Sequence, residues 1–448
     1  MLAPSPLAYQ RRRIPARMDV GKEPRPRSAV SSGVGYAGLA GLALWAYAGL
    51  RWHMDGPVAG LVACVACAIP MVAWSLAVDK VHRRASTGID WQRPPLPWRE
   101  TLDISLAKLA GLWATWGIIA FVYAIGRWYW SGQYMFAMQF FAMLLPMIVI
   151  GSVPYMLWID RRLEEPRDGC YAFGQYLLGQ GASDRAAIAA HLRSWAVKGF
   201  FTAFMISIVP GNWREFVDAP LGALLGDPAR LAQWLIATMF MVDVAFATVG
   251  YLLTFRPLDS HIRSANPYAA GWAAALMCYP PFIMMNAGGP LDYHQNTQEW
   301  TGWFAGHPTI LAAIGAVLVI LTGIYAWATV SFGLRFSNLT HRGILTHGPY
   351  AWSKHPAYLS KNIFWWIGTM PFLATTGALT DAVRNTVTLG MVSGVYYWRA
   401  RTEERHLASD PDYVAYAAWM ARHGPVPRFF AWLRGGASKP AATLQAAE

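Results

Sequence analysis

The sequence predicts an all-α, polytopic membrane protein with about ten transmembrane helices and both termini cytoplasmic. Three observations carry this expectation. Of the 448 residues, 55% are hydrophobic and only 14% are charged, against about 25% charged in ordinary soluble domains. The apolar residues are gathered into runs of roughly 17 to 25, the length a helix needs to cross the hydrocarbon core of a bilayer. The basic residues are shared unequally between the loops that alternate along those runs.

Ten runs qualify, at 34–52, 56–78, 106–130, 135–159, 195–211, 231–254, 269–288, 309–330, 360–377 and 381–398. With the N-terminus inside, the 37 Lys and Arg residues fall on inner segments except Arg51, Arg127, Arg214, Arg230 and Arg384. Cytoplasmic loops retain Lys and Arg in this way, which accounts for the formal net charge of +12 without a nucleic-acid partner. The segment 288–307 holds no Lys or Arg and fits an outer loop. The ninth and tenth runs read as a tight hairpin that need not span fully. A composition rich in Ala, Arg, Trp and Pro points to a bacterial source, and so to the inner (cytoplasmic) membrane.

Residues 1–33 are Pro- and Arg-rich without an apolar core. No cleavable signal peptide is expected there, but a basic, disordered cytoplasmic tail along the anionic inner surface. Residues 34–290 form a membrane-helix region whose role the sequence does not name. Residues 309–430 carry the chemistry, and 431–448 read as a flexible tail. GIDWQRPPLPW, with prolines at 94, 95 and 97, reads as a surface linker because proline cannot continue a helix. Residues 160–194 end in an amphipathic stretch, expected as a helix on the inner surface. Gly35, Gly38 and Gly41 recur every three residues in the first run, a spacing that lets two helices approach closely.

Several other features are weighed and set aside. Cys64 and Cys67 form C-x-x-C inside an apolar run and read as packing residues, and the four cysteines suggest no disulfide framework. Pro280 and Pro281 should kink the seventh run. Asp243 lies near the middle of the sixth, where a charge is costly; it is either a functional group or a protonated acid bonded to a neighbouring helix. No metal-ligand spacing and no phosphate-binding loop occur, so no metal is expected.

Two polar clusters remain beside membrane-grade sequence. The first is THGPYAWSKHPAY, 346–358; Pro349 and Pro356 restrain its backbone, so His355 should sit at a turn. The second is RARTEERHL, 399–407. On a helix, Arg399 and Glu403 share a face, as do Arg401 and Glu404. These are either surface ion pairs, each worth less than about 1 kcal/mol, or a receptor for a zwitterion. If the last two runs form an antiparallel pair, both clusters meet at one membrane face.

GPYAWSKHPAY, then WWIGTMPF, then RARTEERHLASDPDYVAYAAWMARHGPVP resembles the isoprenylcysteine carboxyl methyltransferase family, and more broadly the membrane methyltransferases that include phospholipid N-methyltransferases. The pattern G-x-Y-x-x-x-R-H-P-x-Y, an apolar hairpin, paired glutamates, a leucine and Y-x-x-Y recurs here over about 309–430. FGLRFS, 332–337, is similar to the segment preceding that motif. The resemblance implies S-adenosylmethionine as methyl donor. By the same resemblance, Gly348, Tyr350, Lys354, His355, Pro356, Tyr358, Glu404, Leu407 and Tyr413 would bind the cofactor. Arg399, Arg401 and Glu403 would serve catalysis.

The expected acceptor is a lipophilic molecule, isoprenoid-like or another lipid, entering from the bilayer. The cofactor pocket would open to the cytoplasm. The alternatives are amine methylation of a phospholipid, or a non-catalytic protein that keeps the fold and binds a lipid or partner chain. Lys354 stands where the family has arginine, and Ser360 and Lys361 where it has glycine or an apolar residue; an ammonium there favours an anionic or polar-headed acceptor.

Overall fold

A computed structural model describes residues 23–180 and 184–433. Residues 1–22 of the expected basic tail and 434–448 of the C-terminal tail lie outside them. The described chain is almost wholly helical. Its first half runs α1 Ser32–Trp52, α2 Gly56–Ala77, α3 Trp98–Gly126, α4 Met135–Ile159, α5 Gly169–Leu177, α6 Arg185–Val217, α7 Leu221–Leu224 and α8 Pro228–Leu252. The second half runs α9 Ala269–Leu276, α10 Trp300–Trp303, α11 Pro308–Phe332, α12 Pro356–Thr369, α13 Leu379–Leu407, α14 Pro411–His423 and α15 Pro425–Leu433.

Among the described residues, seven helices are long and apolar enough to cross a membrane: α1, α2, α3, α4, α6, α8 and α11. They correspond to seven of the ten expected spans. The other three differ for identifiable reasons. The seventh run is helical only over Ala269–Leu276 and continues as turns; the Tyr279-Pro280-Pro281 sequence ends it rather than kinking it, because two successive residues lack the N–H a helix needs. α12 has 14 residues, about 21 Å of helix, too short for a core of about 30 Å. α13 has 29 residues but carries Asp381, Arg384, Asn385 and Arg399 along its length. α12 and α13 are the incomplete hairpin that the sequence suggested.

α8 is the hub. Of its apolar stretch, 61% is buried inside the protein, against 11% for α4 at the rim. Asp227 caps its start by accepting from the N–H groups of Ala229 and Arg230, and small residues such as Ala245, Ala247 and Gly250 let α6 and α11 close upon it. α1 lies along α2 at similarly short range, where a Cβ on Gly41 would fall 2.0 Å from the Ala66 carbonyl oxygen. The glycine spacing therefore marks a real contact. Asp243, on α8, accepts hydrogen bonds from the hydroxyls of Tyr325 (2.8 Å) and Thr329 on α11. Of the two readings weighed, the helix-bonded one describes its contacts.

The expected surface helix within 160–194 is not a separate element: its HLRSW end belongs to α6, which starts at Arg185 and continues unbroken into the span. Cys64 and Cys67 are buried and free, as packing residues should be.

One end of the bundle carries a polar cap that ties the two halves together. Arg342 is buried, and its guanidinium donates to the carbonyls of Ser260, Gly250, Phe336 and Leu334. Arg335 pairs with buried Asp259, which Arg84 also approaches at 3.7 Å. Ser264–Ala265 pairs antiparallel with Thr340–His341. Residues 23–31, the described end of the expected tail, run extended across this cap: Ala29 N–H donates to the Ile344 carbonyl at 2.8 Å, and the Pro26 carbonyl accepts from the Thr346 hydroxyl at 2.7 Å.

Candidate active site

The first polar cluster is shaped by backbone constraint. Gly348 has φ +59°, and a Cβ there would fall 2.5 Å from Ser331 Oγ, so neither the conformation nor the space admits another residue easily. Tyr350 packs edge-on against Phe332 at 5.4 Å, and its carbonyl accepts from the Tyr416 hydroxyl at 2.8 Å. His355 caps α12 from outside with Pro356 at its first position, where a missing N–H costs nothing. The turn expected at His355 is present. Tyr358 follows within the first turn of α12, and its ring stacks on His355 with centroids 5.6 Å apart.

α13 brings the second cluster alongside. Glu404 is filled by neighbours: Lys354 forms an ion pair with it, His355 Nε2 lies 3.1 Å from Oε1, and Arg401 donates to Oε2 at 2.8 Å. Burial opposes ionisation of this carboxyl, but the hydrogen bonds and charges of His355 and Lys354 outweigh it and hold the group down at about 2. Glu403 differs. Its side chain is 40% exposed, accepts one hydrogen bond from the Tyr358 hydroxyl at 3.2 Å, and lies 3.8 Å from His355 Nδ1. It keeps acceptor capacity.

The expected ion pairs divide. Arg401 does pair with Glu404, on a side chain that is 57% exposed, and so faces away from the interior. Arg399 does not pair with Glu403. It is buried, with its guanidinium over the rings of Tyr358 (5.1 Å), Tyr396 (5.1 Å) and Tyr279 (5.7 Å), and donates to Asn338 Oδ1 at 3.2 Å. Cation–π contacts replace the carboxylate because α13 turns Arg399 inward while Glu403 stays at the mouth.

Tyr358, Arg399 and Glu403 line a recess of about 320 Å³, counting its open mouth, near the lower end for small-molecule sites. Its opposite wall comes from outside the motif: Asn266, Gly271 and Ala275 from the α9 region, with Thr402 and His406 added by α13. Asn266 Nδ2 reaches the Thr402 carbonyl at 3.4 Å, and His406 Nε2 lies 2.9 Å from Ser264 Oγ. Burial, followed by the charge of His341, pushes the His406 imidazole down to about 4, so it is neutral at pH 7. None of these wall residues was named from the sequence. Tyr396, three residues before Arg399, carried the clearest available signal, a same-face aromatic beside a charge. Irregular backbone at membrane depth is tolerated where it lines a cavity, and the turns after α9 fit that rule.

Leu407 packs with Tyr413 and Tyr416 against α14. The Tyr413 hydroxyl is buried without a hydrogen-bond partner, and burial together with the Glu404 and Glu403 charges pushes its phenol up, leaving a neutral donor at the site's edge. A ligand with a carboxylate, an ammonium and hydrogen-bonding groups fits this set: cations at Lys354 and Arg399, an unfilled carboxylate at Glu403, and an orphaned hydroxyl at Tyr413. Among the described residues, no His, Cys, Asp and Glu group has metal-binding geometry.

Residues 306–409 match the isoprenylcysteine carboxyl methyltransferase (ICMT) family; no curated protein and no solved structure matches the chain. The matched segment spans α11 to the end of α13 and contains both polar clusters, while Tyr413 lies beyond it. It supports an integral-membrane methyltransferase of this general type.

Proposed function

We propose that the protein is an S-adenosylmethionine-dependent methyltransferase acting on a lipophilic acceptor that reaches the recess from the bilayer. The observation that carries this is the division of labour between adjacent glutamates. Glu404 is consumed by Lys354, His355 and Arg401, whereas Glu403 stands half-open at the mouth of a recess walled by Arg399 and Tyr358. In this reading Glu403 receives the ammonium of the cofactor. Lys354 and His355, fixed by Glu404, present donors to its carboxylate. The neutral Tyr413 hydroxyl donates one further hydrogen bond.

When bound, S-adenosylmethionine supplies an electrophilic methyl group and leaves as a neutral thioether. The chain's own contribution is orientation. Tyr358 and Tyr396 with Arg399 form a wall that sets the line of approach and excludes water. A carboxylate acceptor needs no base. For an acceptor that must lose a proton, Glu403 is the group with a free lone pair at the recess. The family match, the apolar helices and the basic-residue asymmetry support a site open to the cytoplasm of a bacterial inner membrane, with 309–430 as the methyltransferase region and 34–290 as its scaffold.

Binding of S-adenosylhomocysteine to the detergent-purified chain tests the reading. Micromolar binding is expected for the wild type, with Glu403→Gln weakened about tenfold or more by loss of a charged hydrogen bond. No binding by folded wild-type protein would remove the enzyme reading. Equal binding by Glu403→Gln would remove the assigned role of that glutamate.

A further inference from the structure

Lys361 lies on α12 six residues beyond His355, about 9 Å deeper along the helix axis at 1.5 Å per residue. An ionisable side chain at that depth is costly unless something there needs it. Among the described residues it has no hydrogen bond and no ion pair: its ammonium lies over the Tyr325 ring at 5.1 Å and the Trp365 ring at 5.3 Å. Asp243 is the acidic group nearest in kind, but the Tyr325 hydroxyl and Thr329 hold its carboxylate, and the Tyr325 ring stands between.

A second cation without a carboxylate stands close by. Trp365 packs edge-on against Tyr396 at 5.0 Å, and Tyr396 in turn carries Arg399 at 5.1 Å. Lys361 and Arg399 thus flank one aromatic pair. One helical position beyond Lys361, the Asn362 Oδ1 is buried without a partner while its Nδ2 donates to the Tyr358 carbonyl. α12 packs along α11 and only lightly against α13, so this aromatic seam is the loosest side of the hairpin.

We propose that Lys361 forms an anion subsite in the acceptor's path, taking a carboxylate or phosphate carried by an amphiphile. The acceptor is then an acidic lipid rather than a neutral isoprenoid. The inference rests on the methyltransferase reading for the word acceptor, but the subsite itself is tested without turnover. The partner is anionic because two cations share the seam. It is amphiphilic because the subsite lies among aromatic side chains beneath the polar cap.

The test is thermal protection of the full chain in a neutral detergent by oleyl phosphate, oleate or oleyl alcohol at equal mole fraction, with inorganic phosphate as the soluble arm. Wild-type protein should bind oleyl phosphate or oleate about tenfold tighter than the alcohol, as one charged hydrogen bond implies. Lys361→Met should lose that preference and Lys361→Arg should keep it. Both variants should retain S-adenosylhomocysteine binding. Equal protection by the alcohol in the wild type overturns the proposal, whatever the variants do. So does undiminished selectivity in Lys361→Met, and protection by inorganic phosphate equal to that by oleyl phosphate removes the lipid assignment. Loss of S-adenosylhomocysteine binding in the wild type, with anion selectivity intact, would sink the methyltransferase reading and leave the subsite standing.

Discussion

At the scale of single residues, charge pairing and backbone strain decide what each position tolerates. The Glu404 carboxyl, held down at about 2 against an ordinary 4.5, contributes stability that is fully present above pH 4.5 and is lost as pH falls toward about 2. The unfolding-temperature gap between wild type and Glu404→Gln should therefore be constant from pH 5 to 8 and close below pH 4.5. A gap that closes already between pH 8 and 6 would mean that another group controls the cluster. Gly348 offers a matched comparison. Gly348 and Gly377 both have positive φ, +59° and +72°, but only at Gly348 does a Cβ meet a neighbour, Ser331 Oγ at 2.5 Å. Gly348→Ala should cost about 2–3 kcal/mol, strain and clash together, and Gly377→Ala about 1. Equal losses in denaturation of the two variants would show that the Gly348 turn can relax.

Among elements, the contacts that matter join helices far apart in sequence. Asp243 on α8 holds two hydroxyls of α11, and the same α11 supports α12 and thus His355. Asp243→Asn leaves an amide without an acceptor where a carboxylate took both hydroxyls, and should lower stability by about 1–3 kcal/mol. An unchanged unfolding temperature would mean that the α8–α11 seam is held by apolar packing alone. α12 and α13 show how an element can be read correctly for place and incorrectly for extent. Their apolar runs are visible, but length decides the first and buried charge the second. Arg399 and Arg401 show the same at closer range: both lie within one turn of a glutamate, yet only Arg401 pairs, because the inward face of α13 meets three tyrosines.

For the whole molecule, the region matched to a family is not self-sufficient. The recess takes Asn266, Gly271 and Ala275 from before residue 306. Arg342 finds the carbonyls of Ser260 and Gly250 there, and Arg335 finds Asp259. Expressed alone, residues 306–433 should aggregate, because Arg335 and Arg342 would lose partners whose loss leaves buried charge uncompensated. A soluble, monodisperse fragment in detergent that binds S-adenosylhomocysteine as the full chain does would contradict this. The N-terminal helices thus act as a wall and a clamp.

The sequence by itself determined the all-α membrane class, seven of the spans, the close α1–α2 contact and the two polar clusters. These follow from periodicity, composition and local spacing, which a chain carries wherever it folds. Only the tertiary structure decided that Glu404 is saturated and Glu403 open, that Arg399 faces tyrosines, and that the α9 region closes the recess. Those outcomes depend on which side chain reaches a shared volume first. Groups up to 142 positions apart, such as Ser264 and His406, settle that in space, and no local pattern records it.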